Sequence, residues 1–333
     1  MGKFILRRLL LLIPILLGLT LLVFLFIRAL PGDPAGAILG ERATPEALER
    51  VRQALGLDKP LIEQYLAYLG GLVRLDLGHS FITNRDVTDD FLQRFPATIE
   101  LTIAAMIIAV VIGIPLGVVS ALYRNTIIDH VLRIVTVAGL AVASFWLALV
   151  LQLYFAMDLG WLPLQARITG FPPPSITGFY IVDTLMEGNF TRFRNVVAHL
   201  TLPAFTLAFP ALATVVRFTR AGVLETLQKN FVVYQRAMGI PSGLIVWKYV
   251  LRNSLISTVT QIGLLFGILL AGTVVIETVF QWPGIGAYAF EAILQSDYAA
   301  VMGFTVYAGA VFGIVNLVVD IGHAILDPRG AGA

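Results

Sequence analysis

Long unbroken apolar runs, separated by shorter polar stretches, dominate the pattern along this chain. Six runs reach the length a helix needs to cross a bilayer, about 20 residues at about 1.5 Å each. They lie at about 9–29, 99–123, 134–157, 200–216, 258–280 and 300–321. The fourth, "LTLPAFTLAFPALATVV", is the weakest, because Pro203 and Pro210 each remove a backbone donor. Membrane helices accept proline where neighbouring helices satisfy the freed carbonyls. The first run follows Lys3, Arg7 and Arg8 as a signal peptide would, yet it is longer than such a core, and "RALPGDPAG" behind it offers no small-residue cleavage site. It reads as an uncleaved span.

Composition fits a chain solvated by lipid. Hydrophobic residues make up 58% and charged residues 13%, against about half and about a quarter in ordinary soluble domains. The expectation is one all-α, multi-pass protein in a lipid bilayer. Without cysteine, disulfides and thiolate chemistry are excluded. A net charge of +2 gives no reason to invoke nucleic acid. No G-x-x-x-x-G-K-[ST] phosphate loop occurs, and His79, His130, His199 and His323 are scattered without H-E-x-x-H spacing. Glu100, Glu277 and Asp320 fall near span ends, not in the mid-membrane acid chain of a proton relay. No catalytic set, metal site or cofactor is expected.

Orientation follows from Lys and Arg at the span ends. With the N-terminus inside, one side collects Arg124, Arg133, Arg217, Arg220, Lys229, Arg236, Lys248, Arg252 and Arg329, while acidic residues crowd the opposite segment 31–98. Both termini are then cytoplasmic. The organisation is an N-terminal helix (1–30), an external region with short helices (31–98), a five-span core (99–323) and a tail (324–333). In the external region, "TPEALERVRQALG" predicts a helix capped by Thr44, with Leu48, Val51 and Leu55 on one face, ended by Gly56.

The core carries a segment of about 221–257 too long and structured for a plain linker. Leu224, Leu227, Phe231, Tyr234 and Met238 recur at helical spacing. Gly239 then occupies a left-handed C-terminal cap, Pro241 blocks continuation, and Ser242 is set as N-cap for a second helix through Ile245, Lys248, Leu251 and Leu255. Periodicity alone leaves two roles open: a hairpin lying on anionic lipid, or an element that inserts into a groove on a partner. Small residues four apart, Gly113 with Gly117, Gly263 with Gly267 and Ala271, and Gly309 with Gly313, permit close helix approach. They mark packing within the subunit, or else a subunit interface or pathway wall. Pro115 predicts a kink, for packing or for a pathway. "QWPGIG" predicts a tight external turn with Trp282 as an interfacial anchor and Pro283, Gly284 and Gly286 shaping the backbone.

"VVYQRAMGI…VLRNSLISTVT" resembles the cytoplasmic loop of binding-protein-dependent ABC importer permeases. "RALPGDPA", "FPATIELTIAAMIIAVVIGIPLGVVSALYRN", "ETVFQWPGIGAYAFEAI" and "NLVVDIGHAILDPR" extend the resemblance to the dipeptide/oligopeptide/nickel permease family over nearly the whole chain. Val233, Tyr234 and Gln235 stand where that family has a Glu-Ala-Ala triplet, Met238 where a basic residue is common, and Ser257 where a proline is usual. The resemblance implies a type I importer permease fold of six spans with a cytoplasmic coupling hairpin. It implies that Tyr234, Gln235, Arg236, Ala237, Gly239, Ile240 and Pro241 meet the ATPase. It also implies a second, homologous permease subunit, two ATP-binding subunits that hold ATP and Mg, and an extracytoplasmic solute-binding protein. The cargo implied is a dipeptide or oligopeptide, with nickel complexes or glutathione as alternatives; 31–98 either meets the binding protein or only covers helix ends. The rival from another class, an ion-coupled secondary transporter, would show paired buried charges or inverted broken helices, which the sequence does not display.

Overall fold

The computed structural model describes residues 2–29, 36, 44–54, 56–74 and 76–326. Leu55, most of "RALPGDPA" and the tail from 327 lie outside the described residues, as do the side chains of Lys3, Arg7, Arg8, Ser257, Asp320 and His323. The chain divides into two compact units, one of residues up to Ala97 with Pro283–Leu317, the other built on Thr98–Trp282.

The first unit begins with α1 (Gly2–Ala29), followed by α2 (Pro45–Ala54) and α3 (Leu61–Val73). The Thr44 hydroxyl accepts from the Ala47 amide at 3.3 Å, and Gly56 adopts φ +66°, so the start and stop signals of α2 work as its sequence predicts. A two-residue antiparallel ladder, β1 (His79–Ser80) with β2 (Arg85–Asp86), pairs His79 with Asp86 and leads straight into α4 (Val87–Leu122). Further along the chain come α12 (Ile285–Leu294) and α13 (Tyr298–Leu326). Helix α12, which lies where the apolar pattern predicts only a loop, buries Ile285, Tyr288 and Ala292 against Val87, Phe91 and Ala300. Gly309 and Gly313 receive the side chains of Leu16, Leu19 and Leu12 from α1. That pair of small residues therefore serves packing inside the unit.

The second unit holds the remainder of α4, α5 (Ile127–Ala141), α6 (Ser144–Leu151, continuing as a π-helix over Gln152–Asp158), α7 (Tyr180–Met186), α8 (Phe190–Leu227) and α11 (Leu251–Val279). Among the described residues, five helices are long and apolar enough to cross a membrane, and α5 with α6, bent by 107°, makes a sixth if the pair is one span. The expected third span, 134–157, is thus two helices broken at Val142–Ala143.

The expectation for the fourth span is corrected most. Instead of a weak 17-residue run, α8 is an uninterrupted helix of 38 residues that passes through both Pro203 and Pro210. At 1.5 Å per residue it is about 57 Å long, nearly twice the hydrocarbon thickness of about 30 Å. Burial is what stabilises it: 67% of its span window is enclosed by protein, against 17% for α1 and α13. Thr206 and Thr214 hydroxyls donate to the Leu202 and Pro210 carbonyls near the prolines, at 2.8 and 3.1 Å. Helix α8 packs along α11, α5, α6 and α7, so it is the central element of this unit.

The approach of α4 to α8 is set by two glycines. A Cβ on Gly113 would stand 2.9 Å from Val215 Cγ1, and one on Gly117 would stand 2.6 Å from Thr219 Cβ and 2.8 Å from the Val216 carbonyl. Pro115 between them is exposed and lies within the continuous helix α4. Gly117→Ala is expected to destabilise the protein by about 1–3 kcal/mol through overpacking. Gly243→Ala, where an added Cβ meets nothing within 4 Å, is the matched control. Thermal unfolding in detergent measures both.

Candidate functional site

After α8 ends at Leu227, the chain turns at Gln228–Lys229 and forms α9 (Asn230–Ala237). A second turn leads to α10, a short helix at Ser242–Leu244 that continues as a π-helix over Ile245–Val250 and runs into α11. The turn between α9 and α10 is closed by two backbone bonds, from Gly239 N–H to the Arg236 carbonyl (3.0 Å) and from Ile240 N–H to the Gln235 carbonyl (3.2 Å). Together they form a Schellman cap, which needs a left-handed residue at its centre. Gly239 supplies it, with φ +75°. Ser242 does not cap α10: Pro241 holds the N-cap position without a side-chain bond, because its fixed φ already suits a helix entry.

The two faces of this hairpin differ sharply. Val232, Ile245, Val246 and Val250 are buried in one cluster with Val118, Ala121 and Val223. Val233, Tyr234, Met238, Leu244 and Trp247 are exposed, Tyr234 to 66% and Trp247 to 53%. Arg236, Lys248 and Arg252 are exposed as well. Of the residues assigned to ATPase coupling, Tyr234, Arg236, Ala237, Gly239 and Pro241 are exposed, and Gln235 and Ile240 are half-buried. The sequence places Leu224 to Met238 on one continuous face, yet the break at Gln228–Lys229 splits it. Leu224, Leu227 and Phe231 pack on the buried cluster, whereas Tyr234 and Met238 point away from it. Of the second helix's expected row Ile245, Lys248, Leu251 and Leu255, Ile245 is buried and Leu251 packs on the cluster, whereas Lys248 is exposed. Bonding from i to i+5 aligns Ile245 with Val250 and leaves Lys248 outside.

A buried ion pair lies in the same unit as this hairpin. Asp129, 0% exposed, takes Arg220 Nε on Oδ1 at 2.9 Å and Arg220 Nη2 on Oδ2 at 3.0 Å. The Ser120 hydroxyl donates to it at 2.7 Å and the Asn125 amide at 3.0 Å, with Arg133 Nη2 at 3.5 Å. One carboxylate thereby fastens the end of α4, the 123–126 turn, the first turn of α5 and the last turns of α8. A second pair joins Glu100 of α4 to Arg167, whose Nε donates at 2.9 Å. Arg167 also donates to the Gly178 carbonyl at 2.9 Å and lies 3.7 Å from the Tyr180 ring centroid and 5.8 Å from that of Trp282. The Ile181 amide donates to Glu100 Oε1 at 2.7 Å, so the 159–189 segment is held down on α4. The Thr98 hydroxyl donates to Glu277 Oε1 at 2.7 Å.

Paired buried charges, which the sequence does not display, are therefore present. Each charged pair draws at least one member from a loop or a helix terminus, so sequence separations of 67 and 91 residues hide them. Trp282 is not an interfacial anchor but fully buried, with the Arg167 guanidinium 5.8 Å from its ring centroid. Pro283 is exposed, and Gly284 and Gly286 are buried. Along α11, Gly263 is half-buried, Gly267 buried and Ala271 exposed, so that row is not one continuous contact inside the unit. Among the described residues no three His, Cys, Asp or Glu side chains converge as a metal site would require.

These features define a multi-pass helical membrane protein that presents a rigidly capped, apolar and basic hairpin outside its spans. Residues 113–331 match the family described as binding-protein-dependent transport system inner membrane component, and residues 1–102 match the corresponding N-terminal family. The chain belongs to this family and is a transport permease subunit of an inner membrane. It is 42% identical over 320 residues to a probable D,D-dipeptide transport system permease protein of Escherichia coli K12, covering 96% of this chain and 94% of that one. It is also 42% identical over 331 residues to a di/tripeptide transport system permease protein of Pseudomonas aeruginosa, covering 99% and 98%. A glutathione transport system permease protein of Pectobacterium atrosepticum is 37% identical over 328 residues, covering 98% of each.

Asp129→Ala, which strands Arg220 in a mostly buried site, is expected to cost about 3–5 kcal/mol, seen as a lowered thermal midpoint. A second test concerns Asp183. Burial pushes its carboxyl up, but the Thr177 hydroxyl and the Thr177 and Gly178 amides outweigh burial and hold it below the usual carboxylate value. A carboxyl lowered by folding stabilises above its unfolded value and loses that contribution as pH falls through its folded one. Stability measured against pH should drop at the acid end in the wild type, and Asp183→Asn should flatten that drop.

Proposed function

We propose that this subunit forms, with a homologous permease, the translocation pathway of an ATP-driven importer for dipeptides or short oligopeptides. The observation that carries this reading is the two-faced hairpin: its inner face is anchored in the buried cluster, while its outer face leaves large apolar and basic side chains uncovered. Such a face suits a groove on a partner better than a lipid surface, because the Schellman cap fixes the angle between α9 and α10. The partner is an ATP-binding subunit, which would take Tyr234, Arg236, Ala237 and Met238 against its surface; a pair of these subunits holds the ATP and Mg that this chain does not bind. The distribution of Lys and Arg favours a cytoplasmic hairpin and cytoplasmic termini. The broken row Gly263–Gly267–Ala271 on α11 suits contact with the second permease or with cargo. An extracytoplasmic binding protein delivers the cargo, and the external region 31–98 is the surface offered to it.

Short peptides are the favoured cargo because relatives over nearly the full length are named for dipeptide, di/tripeptide and glutathione transport. Glutathione, itself a tripeptide, remains within that class. An ion-coupled mechanism is disfavoured because the family match is to binding-protein-dependent transport systems and the relatives over nearly the full length are named as transport system permeases.

The decisive experiment reconstitutes the complex in liposomes and compares peptide uptake with ATP hydrolysis. Gly239→Val adds no clash, since nothing lies within 4 Å of its Cβ, but it strains a backbone at φ +75°. The strain, about 1–2 kcal/mol for a left-handed residue, falls on the cap alone. Hydrolysis should persist while uptake per ATP falls at least several-fold. Uptake unchanged by Gly239→Val and by a Tyr234→Ala/Trp247→Ala double variant would defeat the docking role.

A further inference from the structure

Helix α3 is built inside out for water. Ile62, Leu66 and Val73 share one face of it, and they are 75%, 60% and 87% exposed. The small and polar residues Glu63, Gln64, Ala67 and Gly71 line a cavity shared with Phe24 and Arg28 of α1. A helix on the surface of a soluble domain does the reverse, hiding its apolar stripe and showing its polar one. Among the described residues nothing covers the stripe, and none of the 13 residues of α3 is buried.

The place where α3 is tied decides what covers that stripe. The Tyr65 hydroxyl donates to the Leu17 carbonyl at 3.1 Å and meets Thr20 Oγ1 at 3.0 Å, and the Tyr65 and Phe24 rings lie 5.4 Å apart. Leu17, Thr20 and Phe24 all fall within the span Leu10–Arg28, of which only 17% is enclosed by protein. From Leu17 to Arg28, where that span ends, is about 16 Å along the axis, about half the hydrocarbon thickness of about 30 Å. Tyr65 therefore reaches down the side of the span and does not rest on its end. Leu21, Leu22 and Leu25 of the same span are exposed too. Helix α3 is about 20 Å long, too short to cross. Exposed charges flank it, Asp58 and Lys59 before and Arg74 and Asp76 after, so the chain enters and leaves on one side.

We infer that α3 is an interfacial helix sunk beside α1 into a single leaflet, with Ile62, Leu66 and Val73 among lipid acyl chains and the charges at its two ends returning to the same membrane surface. A helix suits this place because its backbone satisfies its own hydrogen bonds, which acyl chains cannot supply. Amphipathic helices of this kind bury their apolar face by about 5–10 Å. That the leaflet is the outer one rests on the proposed cytoplasmic N-terminus; the depth does not. Within the external region, α3 is then the part turned to lipid and away from a binding protein.

The test places a nitroxide spin label at single cysteines in the full chain, purified with its co-purifying subunits into phosphatidylethanolamine–phosphatidylglycerol nanodiscs. The sequence has no cysteine, so each label stands alone on this chain, and the unsubstituted complex supplies the background. For each label the collision rate with oxygen, which dissolves in lipid, is divided by that with a water-soluble nickel chelate. The ratio should be several-fold higher at Ile62→Cys and Leu66→Cys than at Asp58→Cys. Labels on α3 as open to the chelate as Asp58→Cys would overturn the inference in favour of a lid in water. Labels shielded from both reagents would overturn it in favour of contact with another subunit. If Leu66→Cys does not fold, Ile62→Cys decides alone. The ratio is blind to which leaflet holds α3, so failure of the proposed orientation or of the transport reading would leave it unchanged.

Discussion

One buried carboxylate, Asp129, ties together the helices of the second unit that lead into the hairpin. Asp129 is tolerable in that position because a bidentate guanidinium, a hydroxyl and a backbone amide meet its two oxygens. A buried pair of this kind adds little net stability over an apolar substitute, but it tolerates only one arrangement of its partners. The arrangement it enforces joins α4, α5 and α8 seven residues before α8 gives way to the hairpin. The ion pair thus anchors α8 just before the hairpin, whose inner face packs on the valine-rich cluster beneath it.

Close packing between α4 and α8 does the complementary work. Gly113 and Gly117 remove the side chains that would hold the helices apart, so backbone meets Val215, Val216 and Thr219 directly. In lipid, where burying apolar surface gives no advantage over leaving it in acyl chains, such contact and buried polar bonds are what hold helices together. The Glu100–Arg167 pair and the Thr98–Glu277 bond extend this logic to the other end of α4.

How much of this was legible in the chain depended on distance along it. Local signals read true: Thr44 caps, Gly56 and Gly239 stop helices in left-handed conformations, and the apolar runs are helices. Prolines misled, because Pro203 and Pro210 weaken an isolated helix but not one enclosed on most sides. Periodicity misled where the helix itself changes type, as at Ile245–Val250, since a 3.6-residue repeat cannot reveal i to i+5 bonding. Trp282 was placed at an interface by its neighbours in sequence, yet its surroundings come from Arg167, more than a hundred residues away. The ion pairs were invisible for the same reason.

The unbroken length of α8 has one more consequence. Helix α8 runs through two prolines without a break over its 38 residues. Leu227 and the Asn189 cap are thereby the two ends of one continuous helical rod. The breaks in this unit fall instead at Gln228–Lys229 and at the 107° elbow between α5 and α6, which divide the rod from its neighbours.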